Sequence, residues 1–441
     1  MNVEELNLLL SQDNTPLGEI LPRLKSLSEN KFVFQAHFGL PKLPLDPGIL
    51  LIRGPRQFGK STWLEQQISS TYIQFGPGSV FYLNGDEISL NGDLVTAVRQ
   101  LVPRFRANNK IKRLFIDEIT AIDNWERAIK LLADQGELQD ILLVTTGSKA
   151  TDIRRGTERL PGRKGRLART NFIFTPISYR DFQETTNNYF GKDSVVAYIL
   201  SGGSPLAANE LAKNSYIPEY VITLTRDWLI GEIVRSGRQR SVLLRIFDSL
   251  HRNGASVLGY TKLAREVDIA NNTVASGYME TLEDLFCIAP VYQTDPRSCK
   301  VLYRKACKFH YINSLVAIAT SSFAPRSIKD FKSMPEQRQG VFLESLVAQE
   351  FWRRSATRNA DNISELRFFR HEDSEIDFVL EGKKEQFLEV KRGQASPHEF
   401  DWLFKLLPKA RVKVICTNQI QFENLKSLTM EDFLLDETLV V

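Results

Sequence analysis

Hydrophobic positions along the 441-residue chain change period several times, and each change predicts an element. Ile49-Leu-Leu-Ile52 is an unbroken apolar run, the pattern of a short strand buried on both faces. Ser61 to Ile68 follows with helical spacing. Arg113-Leu-Phe-Ile-Asp117 is a second apolar strand, ending in acids, and Ile141-Leu-Leu-Val-Thr-Thr146 is a third. Strands alternate with helical patterns from about 41 to 175, which predicts an α/β unit with a parallel sheet and helices on both faces. Residues 1–40 read as a helical lead-in. A helix-rich stretch restarts at Thr175 and is interrupted at Ser201-Gly-Gly-Ser-Pro205, giving a helical lid over 176–238.

A different pattern occupies 239–318. Ser241 to Leu250, Tyr260 to Val267 and Thr273 to Leu285 read as helices, with a turn at Asp268–Asn272 and strands at Phe286–Tyr292 and Lys300–Arg304. Short helix, tight turn, helix and two strands form a winged helix-turn-helix pattern. Asn271, Asn272, Thr273 and Ser276 would face a DNA groove, while Glu280, Glu283 and Asp284 at the far end would repel phosphates. Residues 319–441 carry a helix over Gly340–Trp352, a hairpin from Glu375 to Lys391 turning at Glu381–Lys384, a helix from Pro397 to Leu407 and a strand at Val412–Thr417. That element order is the core of the restriction-endonuclease-like α/β fold.

Between the first strand and the first long helix stands Gly54-Pro55-Arg56-Gln57-Phe58-Gly59-Lys60-Ser61-Thr62, which matches G-x-x-x-x-G-K-[ST]. Strand, glycine loop and helix N-terminus together turn backbone N–H groups toward phosphate oxygens. Lys60 would reach the β- and γ-phosphates of ATP, and the Ser61 hydroxyl would ligate Mg²⁺. Asp117 would meet the same ion, and Glu118 would polarise the attacking water. Thr146 and Ser148 end the third strand. Either could contact the γ-phosphate or lytic water, and either could cap a helix. The basic stretch Arg154–Arg169 holds seven Lys or Arg residues against one acid. Such a loop could supply an arginine finger to a neighbouring subunit's γ-phosphate, which anticipates a homo-oligomer, or could contact nucleic-acid backbone, and its Leu-Pro-Gly-Arg turn makes Arg163 the candidate for the phosphate role.

In the hairpin, alternation puts Ile376, Phe378 and Leu380 on one face and Asp377 on the other, with Glu389 and Lys391 together on the second strand. This D…E-x-K arrangement suits metal-dependent phosphodiester cleavage. Asp377 and Glu389 would hold Mg²⁺, Glu344 would complete the acidic cluster, and Lys391 would orient the water or stabilise developing charge.

Composition adds bounds. A formal charge of +4 restricts any nucleic-acid surface to a local patch. Cys287, Cys299, Cys307 and Cys416 have no disulfide or metal spacing, so reduced thiols in a cytoplasmic protein are expected. Met1-Asn-Val-Glu-Glu-Leu6 has no basic n-region or long apolar segment, so no signal peptide is expected, and no apolar run approaches the roughly 18 residues that would span a bilayer.

The order of these motifs resembles the prokaryotic AAA+ superfamily ATPases whose C-terminal part is catalogued as domain of unknown function 4143. The resemblance rests on Gly54 to Ser61, Asp117-Glu118, the Gly147-Ser148 turn, Leu160 to Arg163, Pro176 to Tyr179, Gly202 to Pro205, and Glu375 to Lys391. It implies an ATPase core, a winged helix and a nuclease-like region, and a lid that senses nucleotide through Pro205. The group's Lys-x-Tyr-x-x-Asp segment stands here as Lys308-Phe-His310-Tyr-Ile-Asn313, with His and Asn at the tyrosine and acid positions.

Overall fold

The computed structural model describes residues 2–148, 165–295, 298, 300–380 and 386–441. They form two compact units, one of Met1–Thr175 with Asn359–Asp361, the other of Pro176–Arg358 with Asn362–Val441.

The first unit is built on five parallel strands: β1 (Gly48–Arg53), β2 (Val80–Asn84), β3 (Arg113–Asp117), β4 (Leu142–Gly147) and β5 (Asn171–Ile173). Their order is β2-β3-β4-β1-β5, so β1 lies between β4 and β5 and the acidic end of β3 is one strand further off. Continuous apolar strands are what a sheet covered on both faces requires. Ile49, Leu51, Leu114 and Ile116 enter one core with Leu94, Val98 and Ile129 of the helices over Asn91–Leu101 and Trp125–Asp134. Leu50, Ile52 and Phe115 enter the other with Trp63, Leu64 and Ile68 of the helix Lys60–Phe75. The N-terminal lead-in is part of this second core through Leu6, Leu10 and Phe38. Asn7 also closes the edge of β2, donating from its side chain to Tyr82 O at 2.7 Å and accepting the Tyr82 N–H at 2.8 Å. An edge strand covered in this way offers no free ladder there.

The second unit opens with helices Tyr179–Thr186, Ser194–Ser201, Pro205–Asn214 and Glu219–Arg235. Gly202 and Gly203 both have positive φ. A Cβ on either would fall within 3 Å of Leu315 N or of Pro176 and Ile177 atoms, so the Gly-Gly turn is a packing requirement. Helices Arg240–Asn253, Tyr260–Glu266 and Asn272–Asp284 follow and share one core with Leu229, Ile288 and Phe309.

Two sheets complete this unit. One joins β6 (Ile288–Thr294), β7 (Lys308–Tyr311), β8 (Leu366–His371) and β9 (Ser374–Ile376) in the order β7-β6-β8-β9. The other joins β10 (Phe378–Val379), β11 (Gln386–Val390), β12 (Arg411–Ile415) and β13 (Leu425–Leu428) in chain order. The first sheet therefore takes strands from both sides of residue 318.

Two expected details are corrected. Among the described residues the strand expected at Lys300–Arg304 is an isolated bridge, Val301 to Thr294, with the Leu302 N–H bonded to Gln293 O at 2.8 Å. The antiparallel partner of β6 is instead the aromatic run Lys308–Tyr311. The hairpin is also not one continuous strand pair. The chain bends at Asp377, leaving the first sheet at Ile376 and joining the second at Phe378. The alternation slips there: Ile376 joins Val379 and Phe387 in one core, while the Phe378 ring packs on Phe351. The expected turn at Glu381–Lys384 lies outside the described residues.

Candidate functional site

The nucleotide-loop residues follow β1 as the sequence pattern dictates. Gly54 has no room for a side chain, since a Cβ would stand 2.4 Å from Phe174 O. Gln57 at φ +67° and Gly59 at φ +98° adopt left-handed backbone. Such turns bring successive N–H groups to one concave side, which suits anion binding. Phe58 is buried in the core beneath and anchors the loop, while Pro55 is buried beside it. Gly59 is the N-cap of the helix whose first turn holds Lys60, Ser61 and Thr62, so the helix N-terminus opens onto the loop. Lys60 is buried and its Nζ donates to Gly54 O and Pro55 O, both at 2.8 Å. Burial pulls its pKa down, against the opposing pull of Glu118 and Asp117. Arg56 Nε lies 3.4 Å from Ser148 Oγ, which places the end of β4 beside the loop.

Asp117 closes β3 and is buried. The Thr146 hydroxyl donates to Asp117 Oδ1 in a short contact and accepts the Glu118 N–H at 3.0 Å. Thr146 therefore ties the end of β3 to β4. Of the two strand-end hydroxyls, this one is committed to the acids and the Ser148 hydroxyl faces Arg56. Glu118 itself sits at φ +47°, an unusual conformation for a residue with a side chain. Gly85 makes room for it: a Cβ there would be 2.4 Å from Glu118 O. Neither the Thr146 bonds nor the role of Gly85 follows from the motif, because both depend on which strands are neighbours.

Ser61 and Asp117 offer a hydroxyl and a carboxylate oxygen, the hard donors Mg²⁺ prefers, and Asp117 already has one oxygen held in place by Thr146. The donor set fits the ion. Arg163 lies outside the described residues. Pro205 belongs to the second unit, where it begins the helix Pro205–Asn214 behind the N-cap Ser204.

The second unit brings Glu344, Asp377 and Glu389 together, and all three are largely buried. At their centre stands Lys308, a residue the motif reading did not assign to the site. Its side chain is 1% exposed, and Nζ lies 3.1 Å from Glu344 Oε1, 2.9 Å from Glu375 Oε1 and 3.2 Å from Asp377 Oδ1. Asp377 Oδ2 accepts the Val390 N–H at 2.9 Å, and Glu389 Oε2 accepts the Asp377 N–H at 3.2 Å. Lys391 Nζ is 3.0 Å from Glu389 Oε1 and 3.2 Å from Glu399 Oε2. His310 Nε2 lies 3.2 Å from Glu344 Oε1, outside hydrogen-bonding alignment, and Nδ1 is 3.3 Å from Ser345 Oγ. Burial would raise the Glu344 carboxyl, but Lys308 and His310 outweigh it and hold it at about 2. Burial, with Glu344 and Glu389 nearby, pushes Asp377 well up. Lys308 keeps its charge because its carboxylate neighbours overcome burial.

This donor set does not fit the metal that a D…E-x-K site implies, since the Lys308 ammonium already stands among the carboxylates and each oxygen of Asp377 and Glu389 takes a protein donor. The sequence signal for Lys308 was its place as the lysine of the Lys-x-Tyr-x-x-Asp segment, which named no role for it. Asn313, in the group's acid position, caps the helix Ser314–Thr320 by accepting the Val316 N–H, a task Asn and Asp perform equally well.

In the helix-turn-helix segment, Asn272 and Thr273 are exposed. The Asn271 side chain accepts the Val274 N–H as N-cap, and Ser276 Oγ donates to Glu280 at 2.9 Å. Cys287, Cys307 and Cys416 are buried free thiols, and Cys299 lies outside the described residues. Among the described residues no helix is long and apolar enough to cross a membrane.

Residues 46–183 match a family model described as an AAA domain (AAA_14). The uncharacterized protein MJ1544 of Methanocaldococcus jannaschii is 22% identical over 408 residues, covering 87% of this chain and 85% of that protein. Among solved structures, the Walker-type ATPase paby2304 of Pyrococcus abyssi is 12% identical with a TM-score of 0.42, over 68% of this chain and 93% of that one. The Aeropyrum pernix ORC1 protein in complex with DNA is 14% identical with a TM-score of 0.33, over 71% and 96%. The segment that builds the phosphate loop, the acidic strand end and the parallel sheet is the one that the AAA-domain model matches.

Proposed function

We propose that this protein hydrolyses ATP at the loop Gly54–Thr62 and uses its nucleotide state to control engagement of nucleic acid. The observation that carries the reading is the convergence of three strand ends: the loop after β1, the acids after β3, and Thr146 on β4 bonded to both acids. Backbone N–H groups of the loop and the helix N-terminus bind the phosphates. Lys60 exchanges its two loop carbonyls for β- and γ-phosphate oxygens, and its burial strengthens that pairing. Ser61 and Asp117 would hold Mg²⁺, which would neutralise charge on the phosphates. Glu118 accepts a proton from water aimed at the γ-phosphate, and Thr146 fixes the backbone that presents it.

Engagement of nucleic acid is assigned to the helix-turn-helix, through exposed Asn272 and Thr273 at the start of the helix Asn272–Asp284. Arg163 acting on a neighbouring subunit and Pro205 sensing nucleotide are the finer parts of the same proposal. The second reading, a nucleic-acid or partner-binding switch whose nuclease-like region does not cut, is favoured by Lys308 among the carboxylates.

The test is DNA binding by the Glu118→Gln variant, whose amide cannot take the proton. It should retain bound ATP and hydrolyse at least about 100-fold more slowly. Its affinity for duplex DNA should differ between ATP and ADP. Equal affinity in both nucleotides would refute the coupling, and hydrolysis at the wild-type rate would refute the role of Glu118.

A further inference from the structure

We propose that Lys308 is the resident cation of the carboxylate cluster in the second unit, and that this cluster is an internal ionic clamp which neither holds a divalent metal nor cleaves phosphodiesters. An ammonium has three N–H donors and no acceptor. Lys308 has three carboxylate oxygens within 3.2 Å, from Glu344, Glu375 and Asp377, so its donors are matched one to one. These acids come from the long helix Glu336–Arg358, from β9 and from the bend after it, while Lys308 opens β7. The ammonium therefore holds in register the elements that meet where the hairpin passes from one sheet to the other.

Converging carboxylates need a compensating cation. In a metal site that cation enters from solvent and is bound by lone pairs left free for it. Here an ammonium already stands among the carboxylates as that cation, and each oxygen of Asp377 and Glu389 already takes one protein donor. Asp377 accepts from Lys308 and the Val390 N–H, and Glu389 accepts from Lys391 and the Asp377 N–H. Lys391 is bridged between Glu389 and Glu399, which take two of its three N–H donors. A divalent ion would have to displace a buried ammonium that has nowhere solvated to go, because the Lys308 side chain is 1% exposed and lies over the Phe368 ring at 5.5 Å. The inference is independent of the ATPase reading, since it concerns only residues of the second unit.

The experiment measures Mn²⁺ binding to the full chain without nucleotide, by the electron paramagnetic resonance signal of free Mn²⁺ and by the thermal midpoint with and without 1 mM Mn²⁺. Wild type should bind no Mn²⁺ that the Asp377→Asn variant fails to bind, and the ion should shift its midpoint no more than it shifts that of Asp377→Asn. Lys308→Met keeps the length of the side chain and removes the charge. Its midpoint should fall by several degrees, and Mn²⁺ should recover at least half of that loss. Binding of Mn²⁺ by wild type that disappears in Asp377→Asn would overturn the proposal, as would plasmid nicking by wild type that needs Mn²⁺ and Asp377. A Lys308→Met midpoint equal to wild type would overturn the clamp. Should Lys308→Met fail to fold, the clamp is supported by that failure, and the comparison of wild type with Asp377→Asn still decides the metal.

Discussion

Replacing Thr146 by valine removes a hydroxyl and leaves the side-chain volume nearly unchanged, so it isolates the bonds that Thr146 makes to the acids. Two bonds are lost: the one to Asp117 Oδ1 and the one from the Glu118 N–H at 3.0 Å. Thr146 is fully buried, so water cannot replace either. A buried donor left unsatisfied costs about 1–3 kcal/mol, and a bond to a charged group is worth about 1.5–3 kcal/mol. Part of that loss appears as stability and part as misplacement of Asp117 and Glu118. If about 1.5–3 kcal/mol reaches the transition state, kcat falls about 10- to 150-fold at 1.4 kcal/mol per decade. KM for ATP should change far less, because the loop and Lys60 are untouched. Steady-state Mg²⁺-ATP hydrolysis, with the thermal midpoint measured alongside, checks the expectation, and Thr146→Ser should recover most of the rate. A valine variant within twofold of wild-type kcat, or a serine variant as poor as valine, would refute the reasoning.

Gly85→Ala should lower ATP turnover about 100-fold, since a 1 Å displacement of catalytic groups has about that effect, and the added Cβ would begin 2.4 Å from Glu118 O. Gly92→Ala, where nothing lies within 4 Å of the added atom, should leave turnover within twofold and serves as the control. His251 supplies a pH effect: its ring stacks on Tyr311, its Nε2 lies 3.0 Å from Thr320 Oγ1, and burial pushes its pKa down from 6.5 to about 4. Above pH 6.5 folded and unfolded chains both carry it neutral. Between 6.5 and 4 only the unfolded chain takes the proton, so stability should fall with decreasing pH by at most about 3 kcal/mol across the window. Urea titrations should show that slope reduced in His251→Gln, and parallel slopes would contradict the assignment.

The sequence made the first unit legible because its signals are local. Ile49–Ile52, the glycine loop and the apolar run before Asp117 each announce an element within about ten residues, and a sheet covered on both faces leaves strands few other patterns. The second unit was harder to read for the opposite reason. The partner of β6 was sought at Lys300–Arg304, the next β-like run, but pairing went to Lys308–Tyr311 and, in parallel, to Leu366–His371 some 70 residues away. Strict alternation through Glu375–Leu380 failed because the chain changes sheets at Asp377, and a period-2 pattern carries no sign of such a bend. Glu344, Asp377 and Glu389 were found as acids at recognisable spacings. Lys308 was missed because its meaning lies in three carboxylates from distant segments.

The central claim, an ATP-hydrolysing site at Gly54–Thr62, is tested most directly by Mg²⁺-dependent phosphate release from ATP, with Lys60→Ala beside the wild type and nucleotide binding measured on both. The account predicts turnover by the wild type that is lost on chelating Mg²⁺. It also predicts a Lys60→Ala variant that folds but neither retains ATP at the wild-type affinity nor releases phosphate above background. A wild-type protein that binds no Mg²⁺-ATP, or a Lys60→Ala variant that hydrolyses it at the wild-type rate, would contradict the account.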